Sequence, residues 1–346
     1  MQSAANLPVW TPNRPKGKEQ FQEVWFLKLN DRLGQNALWL RFTILVTKNG
    51  FQKMAETWAI FFHRENNKEI SKTAAKQSFN IQSFEPLSGR EGRAGSAGIR
   101  VENCQLTPNM TRGQVTSKGK SIQWDLAIHT VQNHPVSLLP DTVRKLGLVN
   151  NEAWTISEEM LFTGKVTVNG VNYEFANAPG IQGHWSGVRS AHSWVWGQSN
   201  SFQNEQGDPV PFIFEGLTSR PRLRGNLAGP RLSSFYFFYR GQHYLFNSLW
   251  DAFHLKSQSS ITEWKFQADR GELSFRGVAR ADHKDFAGIT FEDTDSSVLY
   301  CANSKLSNMS IHVYRRGKLE ATFLSNGTAA FEVVSREKNP YVQALI

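Results

Sequence analysis

Apolar and polar positions alternate along most of this chain with a period of two, which predicts β-strands rather than helices. Over 21–29, Glu23, Trp25, Leu27 and Leu29 share one face; over 37–47, Leu38, Leu40, Phe42, Ile44 and Val46 do the same. The turn-like DRLGQN between them makes the two runs a long hairpin. TWAIFFH (57–63) is a third strand, and the pattern continues near 79–84, 98–106, 121–129 and 162–175. GKVTVNGVNYEF (164–175) is the clearest hairpin, with Asn169-Gly170 as a type I′ turn signal. The stretch 134–160 has room for a short helix around 140–147.

After Phe202 the turn-rich NEQGDPVP interrupts the pattern. A second series follows at 212–217, 232–239, 242–248, 261–268, 271–279, 287–291, 297–301, 309–315, 318–324 and 328–335. Arg240-Gly241, Asp269-Arg270-Gly271, Arg316-Gly317 and Asn326-Gly327 are its tight turns. Many consecutive antiparallel strands with short connections predict an all-β barrel or sandwich, and closure into a barrel removes exposed edges. Two series in succession predict two barrels in tandem, spanning 1–203 and 204–346.

Within this pattern AHSWVWGQSNSF (191–202) stands out. His192, Trp194, Trp196, Gln198, Asn200 and Phe202 fall on one face, and Ser193, Val195, Gly197, Ser199 and Ser201 on the other. Indoles mixed with an imidazole and two amides suit an apolar ligand pocket with a few orienting polar groups. The alternative is a packed strand whose polar groups satisfy neighbouring backbone.

Composition narrows the choices. The 346 residues hold eleven Trp and twenty-four Phe but only two cysteines, Cys104 and Cys301, far apart in sequence. That gives neither a disulfide framework nor metal-ligand spacing and suits a reducing compartment. The start lacks the basic and apolar regions of a signal peptide, and no run reaches the ~18 apolar residues of a spanning helix. A soluble, cytoplasmic protein is expected. The net charge of +9 raises nucleic acid as a partner, but the basic residues are dispersed. The densest group, Arg220, Arg222, Arg224 and Arg231, sits in a Pro/Gly loop without interleaved aromatics. The balance favours no nucleic acid; transient contact with an anionic membrane, or an acidic group on a substrate, fits better.

HSWVWGQSNSF, preceded by GHWSG (183–187), resembles the Trp-rich strand of the tocopherol cyclase and hydroxyneurosporene synthase (carotenoid hydratase) superfamily, which includes AttH-like bacterial proteins. The resemblance continues through GQHYLFN (241–247), WKFQADRGELSFRG (264–277), LYCANS (299–304) and IHVYRRGK…SNGTAAFEV (311–333). EVWFLKLND (23–31) is similar to the opening strand of bacterial members. It implies two consecutive lipocalin-like barrels that bind a long apolar molecule. It also implies mixed chemistry: cyclases that protonate a prenyl double bond, hydratases, and pericyclases that only fold a substrate.

For alkene protonation the pocket needs an acid and π-faces for the cation. Trp185, Trp194 and Trp196 are candidate faces, and His184 and His192 candidate acids or bases. The hydratase branch is thought to pair His with Asp; Asp125 in IQWDLAIH is a candidate, equally readable as a solvated strand residue. Glu23, beside Trp25, is either a buried acid of raised pKa or the partner of Arg41 across the hairpin. Arg189 is a candidate clamp for a ligand carboxylate or phosphate, or a loop arginine facing water. Gln198 and Asn200 would orient the substrate. GHWSG does not fit G-x-S-x-G, and neither a Walker loop nor a dinucleotide fingerprint occurs, so cofactor-free chemistry is expected. Three readings follow: an enzyme that cyclises, hydrates or isomerises a hydrophobic isoprenoid or polyketide-like molecule; a non-catalytic carrier or sensor; and a pericyclase.

Overall fold

Asn169 and Gly170 both have positive φ (50° and 87°), as a type I′ turn requires, and the hairpin they close is the longest of its sheet. Its arms are Glu152–Val168 and Val171–Gly187, seventeen residues each. The computed structural model describes residues 4–11, 19–65, 69–87, 98–139, 151–248 and 250–346. The helix expected around 140–147 lies outside the described residues. Among the described residues strands dominate, and the helices are short 3-10 turns.

The first sheet has eleven antiparallel strands. From Glu69–Asn80 it steps back through Lys53–Glu65 and Asn36–Val46 to Phe21–Asn30, crosses to Val171–Gly187, and then descends in order to Phe84–Leu87. It curls until Thr116 N donates to Gln77 Oε1 across the remaining gap, at 3.3 Å. Trp25, Leu27, Leu29, Leu40, Phe42, Trp124 and Phe162 fill the interior, each nearly or wholly buried. Burying side chains of this size stabilises by about 1.5–3 kcal/mol each. The second sheet is a twelve-stranded counterpart packed with Phe214, Phe235, Phe237, Phe266, Phe275 and Trp264. The architecture is two lipocalin-like antiparallel barrels in tandem.

The barrels differ from the expected outline in two places. First, sheet membership changes between Gly187 and Ser193: Ser193–Ser199 and Phe202–Gln203 already pair with strands of the second sheet. The expected junction at 203 therefore falls inside the second sheet. Second, 297–301 with 309–315, and 318–324 with 328–335, are not four short strands but two long ones, Val298–Arg315 and Lys318–Ser335. Asn326-Gly327 makes no hairpin turn there. Gly327 keeps a positive φ of 70° within the strand, and its N–H donates to Asn308 Oδ1 at 2.8 Å. The register shifts nearby mark bulges, which use the same residue types as turns.

The two barrels pack wall to wall. Trp39, Trp58, Ile60 and Phe62 from the outside of the first meet Ile289, Phe291, Leu299 and Val334 of the second. A smaller cluster joins Val136, Leu138 and Ile181 to Trp196, Ile213 and Tyr236. This explains why Phe21–Asn30 is buried on both faces: one faces the barrel core, the other the second sheet.

Candidate active site

Two buried acid sites lie on opposite faces of the first sheet. Inside the first barrel, Glu23 and His184 sit side by side on adjacent strands, with His184 Nε2 2.8 Å from Glu23 Oε1. Trp25 stacks on the imidazole, ring centres 4.8 Å apart. The segment before the first strand completes this site. Val9 N and Trp10 N donate to the two Glu23 oxygens, each at 2.8 Å, and the Ala5 carbonyl lies 2.6 Å from His184 Nδ1. Asn6 Oδ1 accepts from Gln182 Nε2 at 2.7 Å. Glu23 does not pair with Arg41, which lies on the outer face, donates to Thr43 and covers Trp58 and Phe291.

The second site lies between the barrels. Extra residues in Glu152–Val168 shift its register on either side of Ser157, and this irregular stretch turns Thr155 and Glu158 towards the second sheet. Glu215, from Ile213–Arg220, meets them there. Thr155 Oγ1 lies 2.8 Å from both Glu215 oxygens, and the Trp196 indole N–H donates to Glu215 Oε1 at 2.9 Å. Gln198 donates to Glu158 Oε2 at 3.5 Å and accepts from Lys28 Nζ at 3.3 Å. Burial, reinforced by Glu215, pushes the Glu158 carboxyl well above the ordinary carboxylate range. Burial, with Lys305 nearby, brings Lys28 down to about 7 against the pull of Glu158. Tyr236 is raised by burial and by Glu158 and Glu215, and its hydroxyl lies 2.8 Å from His243 Nδ1. Lys305 Nζ stands 5.4 Å from the Trp196 ring, so that indole already borders a cation.

Of the sequence candidates, Trp196 and Gln198 enter this layer directly. Asn200 braces it by donating to the carbonyls of Glu158 and Gly180, both at 2.9 Å, and Trp194 packs at its margin. Phe202 leaves the shared face for the core of the second barrel, because the strand ends at Ser199. His184, Glu23 and Trp25 form the separate site inside the first barrel. His192 lies apart at the start of its strand, lowered by burial and by Arg336, Arg220 and Arg222. Trp185, half-buried, faces away from His184. Asp125 is exposed between Arg112 and Lys165 on neighbouring strands. Arg189, half exposed, lies 3.9 Å from Asp295, while Arg222 of the Arg-rich loop pairs with Asp295 at 2.7 Å.

Sequence reasoning missed Glu158, Glu215 and Lys28. The signal was present in FIFEGL and WFLKLN, where a charge interrupts a strand too apolar to have a solvated face. No group of three or more His, Cys, Asp or Glu residues among those described is placed to hold a metal ion. No helix among them is long and apolar enough to cross a membrane.

Tandem barrels with a buried acid layer between them define a lipocalin-like two-barrel protein. A tocopherol cyclase-like family model matches residues 19–334, and the chain belongs to that family. Among solved structures it is similar to kievitone hydratase from Nectria haematococca, at 10% identity and a TM-score of 0.51, over 90% of this chain and 88% of that one. It is also similar to an AttH protein from Nitrosomonas europaea, at 9% identity and a TM-score of 0.49, over 95% of this chain and 99% of that one. No curated protein sequence matches the chain.

Proposed function

We propose that this protein is a cofactor-independent enzyme that protonates a double bond of a hydrophobic, isoprenoid or polyketide-like substrate between its two barrels, leading to cyclisation or hydration. The observation that carries the proposal is the Glu158–Glu215 pair. Two carboxyls that meet out of water cannot both ionise cheaply, and burial and Glu215 raise the Glu158 carboxyl well above its ordinary range, which favours keeping one proton on the pair. That proton passes to an alkene carbon: the π bond breaks, a C–H bond forms, and the adjacent carbon becomes cationic. Trp196 and Tyr236 offer π-faces to it, each worth about 1–2 kcal/mol when desolvated. A substrate hydroxyl or a water then forms the new C–O bond and returns its proton to the carboxylate pair. The half-buried Phe26, Leu217, Phe238 and Leu245 border this layer and are the side chains a substrate would displace to reach it.

The test begins with native mass spectrometry and extraction of the ligand from protein purified from its source. The extracted compound, or a panel of prenylated phenols and polyenes, is then turned over in D2O. The expected result is one non-exchanging deuterium in the product and loss of turnover in Glu158→Gln and Glu215→Gln. Product without deuterium, formed equally well by both variants, would instead indicate a pericyclase; binding without turnover would indicate a carrier.

A further inference from the structure

We infer that the end of the second barrel holds a separate binding site for a compact amphipathic molecule of about ten carbons bearing one hydroxyl or carbonyl, partly roofed by residues 336–346. A cavity of about 290 Å³ lies there. Its walls come from the concave side of three strands: Gly288 and Thr290, Tyr300 and Ala302, Val333 and Ser335. Val342 and Ala344 cover part of it from above.

Elsewhere the barrel is filled by phenylalanines, among them Phe235, Phe237, Phe266 and Phe275. At this end most inward positions are small, Gly288, Thr290, Ala302 and Ser335 beside Tyr300 and Val333, and the space they leave is the cavity. An apolar cavity of about 150 Å³ accommodates benzene, so twice that volume suits a bicyclic or monoterpene-sized molecule. The wall mixes apolar positions, Ala302, Val333 and Val342, with the hydroxyl-bearing Thr290, Tyr300 and Ser335, so it suits a molecule with an apolar body and a polar group.

The roof is built to lie close. Gly288 N donates to Gln343 O at 2.9 Å, Leu345 N to Gly288 O at 2.8 Å, and Thr290 N to Ile346 O at 2.8 Å, a short parallel pairing along Ala287–Glu292. A Cβ on Gly288 would stand 2.4 Å from Gln343 O, so a glycine is what lets the roof approach. Glu337, Lys338 and Pro340, which also border the cavity, are exposed, so the space adjoins solvent.

Fluorescence titration with 1-naphthol and naphthalene tests the inference. Saturable binding of both is expected, about tenfold weaker in Ala302→Phe, which fills the cavity. Thr290→Val should weaken naphthol about fivefold and leave naphthalene unchanged. Gly288→Ala should displace the roof and speed naphthol release about tenfold. Ala344→Trp, a change on the exposed roof, serves if Ala302→Phe does not fold. Glu215→Gln should bind both probes as the wild type does, separating this site from the layer between the barrels. Absence of saturable binding, or equal affinity in wild type and the filled variants, overturns the inference.

Discussion

The two buried acid sites face opposite ways from the same wall, and they differ in how their charge is satisfied. Inside the first barrel, Glu23 receives two backbone N–H groups and an imidazole, and the chain's own segment 4–10 supplies most of these partners. Room beside Trp25 and Gln182 is only about 10 Å³, space for one water at most. Between the barrels, two carboxyls face each other and have a lysine nearby that burial holds close to neutrality. A buried acid whose two oxygens are both hydrogen-bonded stiffens a structure. In the proposed mechanism a buried pair that keeps a proton is the store of a reactive one. Burial alone therefore does not distinguish a structural acid from a catalytic one; the partners do.

The sharpest way to break this contrast is to neutralise each acid in turn. Glu158→Gln and Glu215→Gln should lower kcat by about 10²–10⁴-fold, the range for removing a general acid. Their melting temperatures should change little, since a neutral amide can stand in for the protonated carboxyl of the pair. Glu23→Gln should do the reverse. It sets an amide N–H against a backbone donor and costs about 1–3 kcal/mol, or several degrees in Tm by calorimetry. A Glu23→Gln variant that keeps its Tm and loses turnover would move the chemistry into the first barrel.

The two sites were not equally legible in the sequence. Glu23, Trp25 and His184 could be placed because strict alternation sets the inward face of Phe21–Asn30. The tandem barrels were legible for the same reason, through turns such as Asn169-Gly170. The Trp-rich strand was recognised, but its indole face meets the wall of the first barrel, and no single strand states which wall will cover it. Glu158 was hidden for a more specific reason. It sits in an irregular stretch, and each extra residue there reverses the face that alternation assigns. Asn326-Gly327 misled in the same way, since the φ that suits a turn also suits a bulge.

Lys28 sharpens the contrast through pH. Its ammonium is lowered from 10.5 to about 7 in the folded protein, so below pH 7 the folded state bears the full cost of burying a charge. Between about 7 and 10.5 the unfolded chain binds more protons than the folded one, and stability rises with pH. Lys28→Met removes this dependence. Urea denaturation should find the variant at its greatest advantage over wild type at pH 6, with that advantage shrinking by a few kcal/mol towards pH 10. A pH-independent difference between the two would show that Lys28 titrates normally and that the layer is wetter than its burial indicates.

The smallest effect belongs to Trp196, which does two things at once: its N–H donates to Glu215, and its ring borders the layer where a substrate cation would form. Trp196→Phe keeps a π-face and removes the donor; Trp196→Leu removes both. Loss of one hydrogen bond to a carboxylate costs about 1.5–3 kcal/mol at most, and the remaining Thr155 contacts cushion it. Trp196→Phe should therefore lower kcat only several-fold and move the basic limb of its pH profile to higher pH, because the carboxyl pair loses a donor that favours its charged form. Trp196→Leu should cost a further tenfold or so if the ring steadies a cation. If the two variants are equally impaired, the indole acts through its N–H alone and the cation is stabilised elsewhere in the layer.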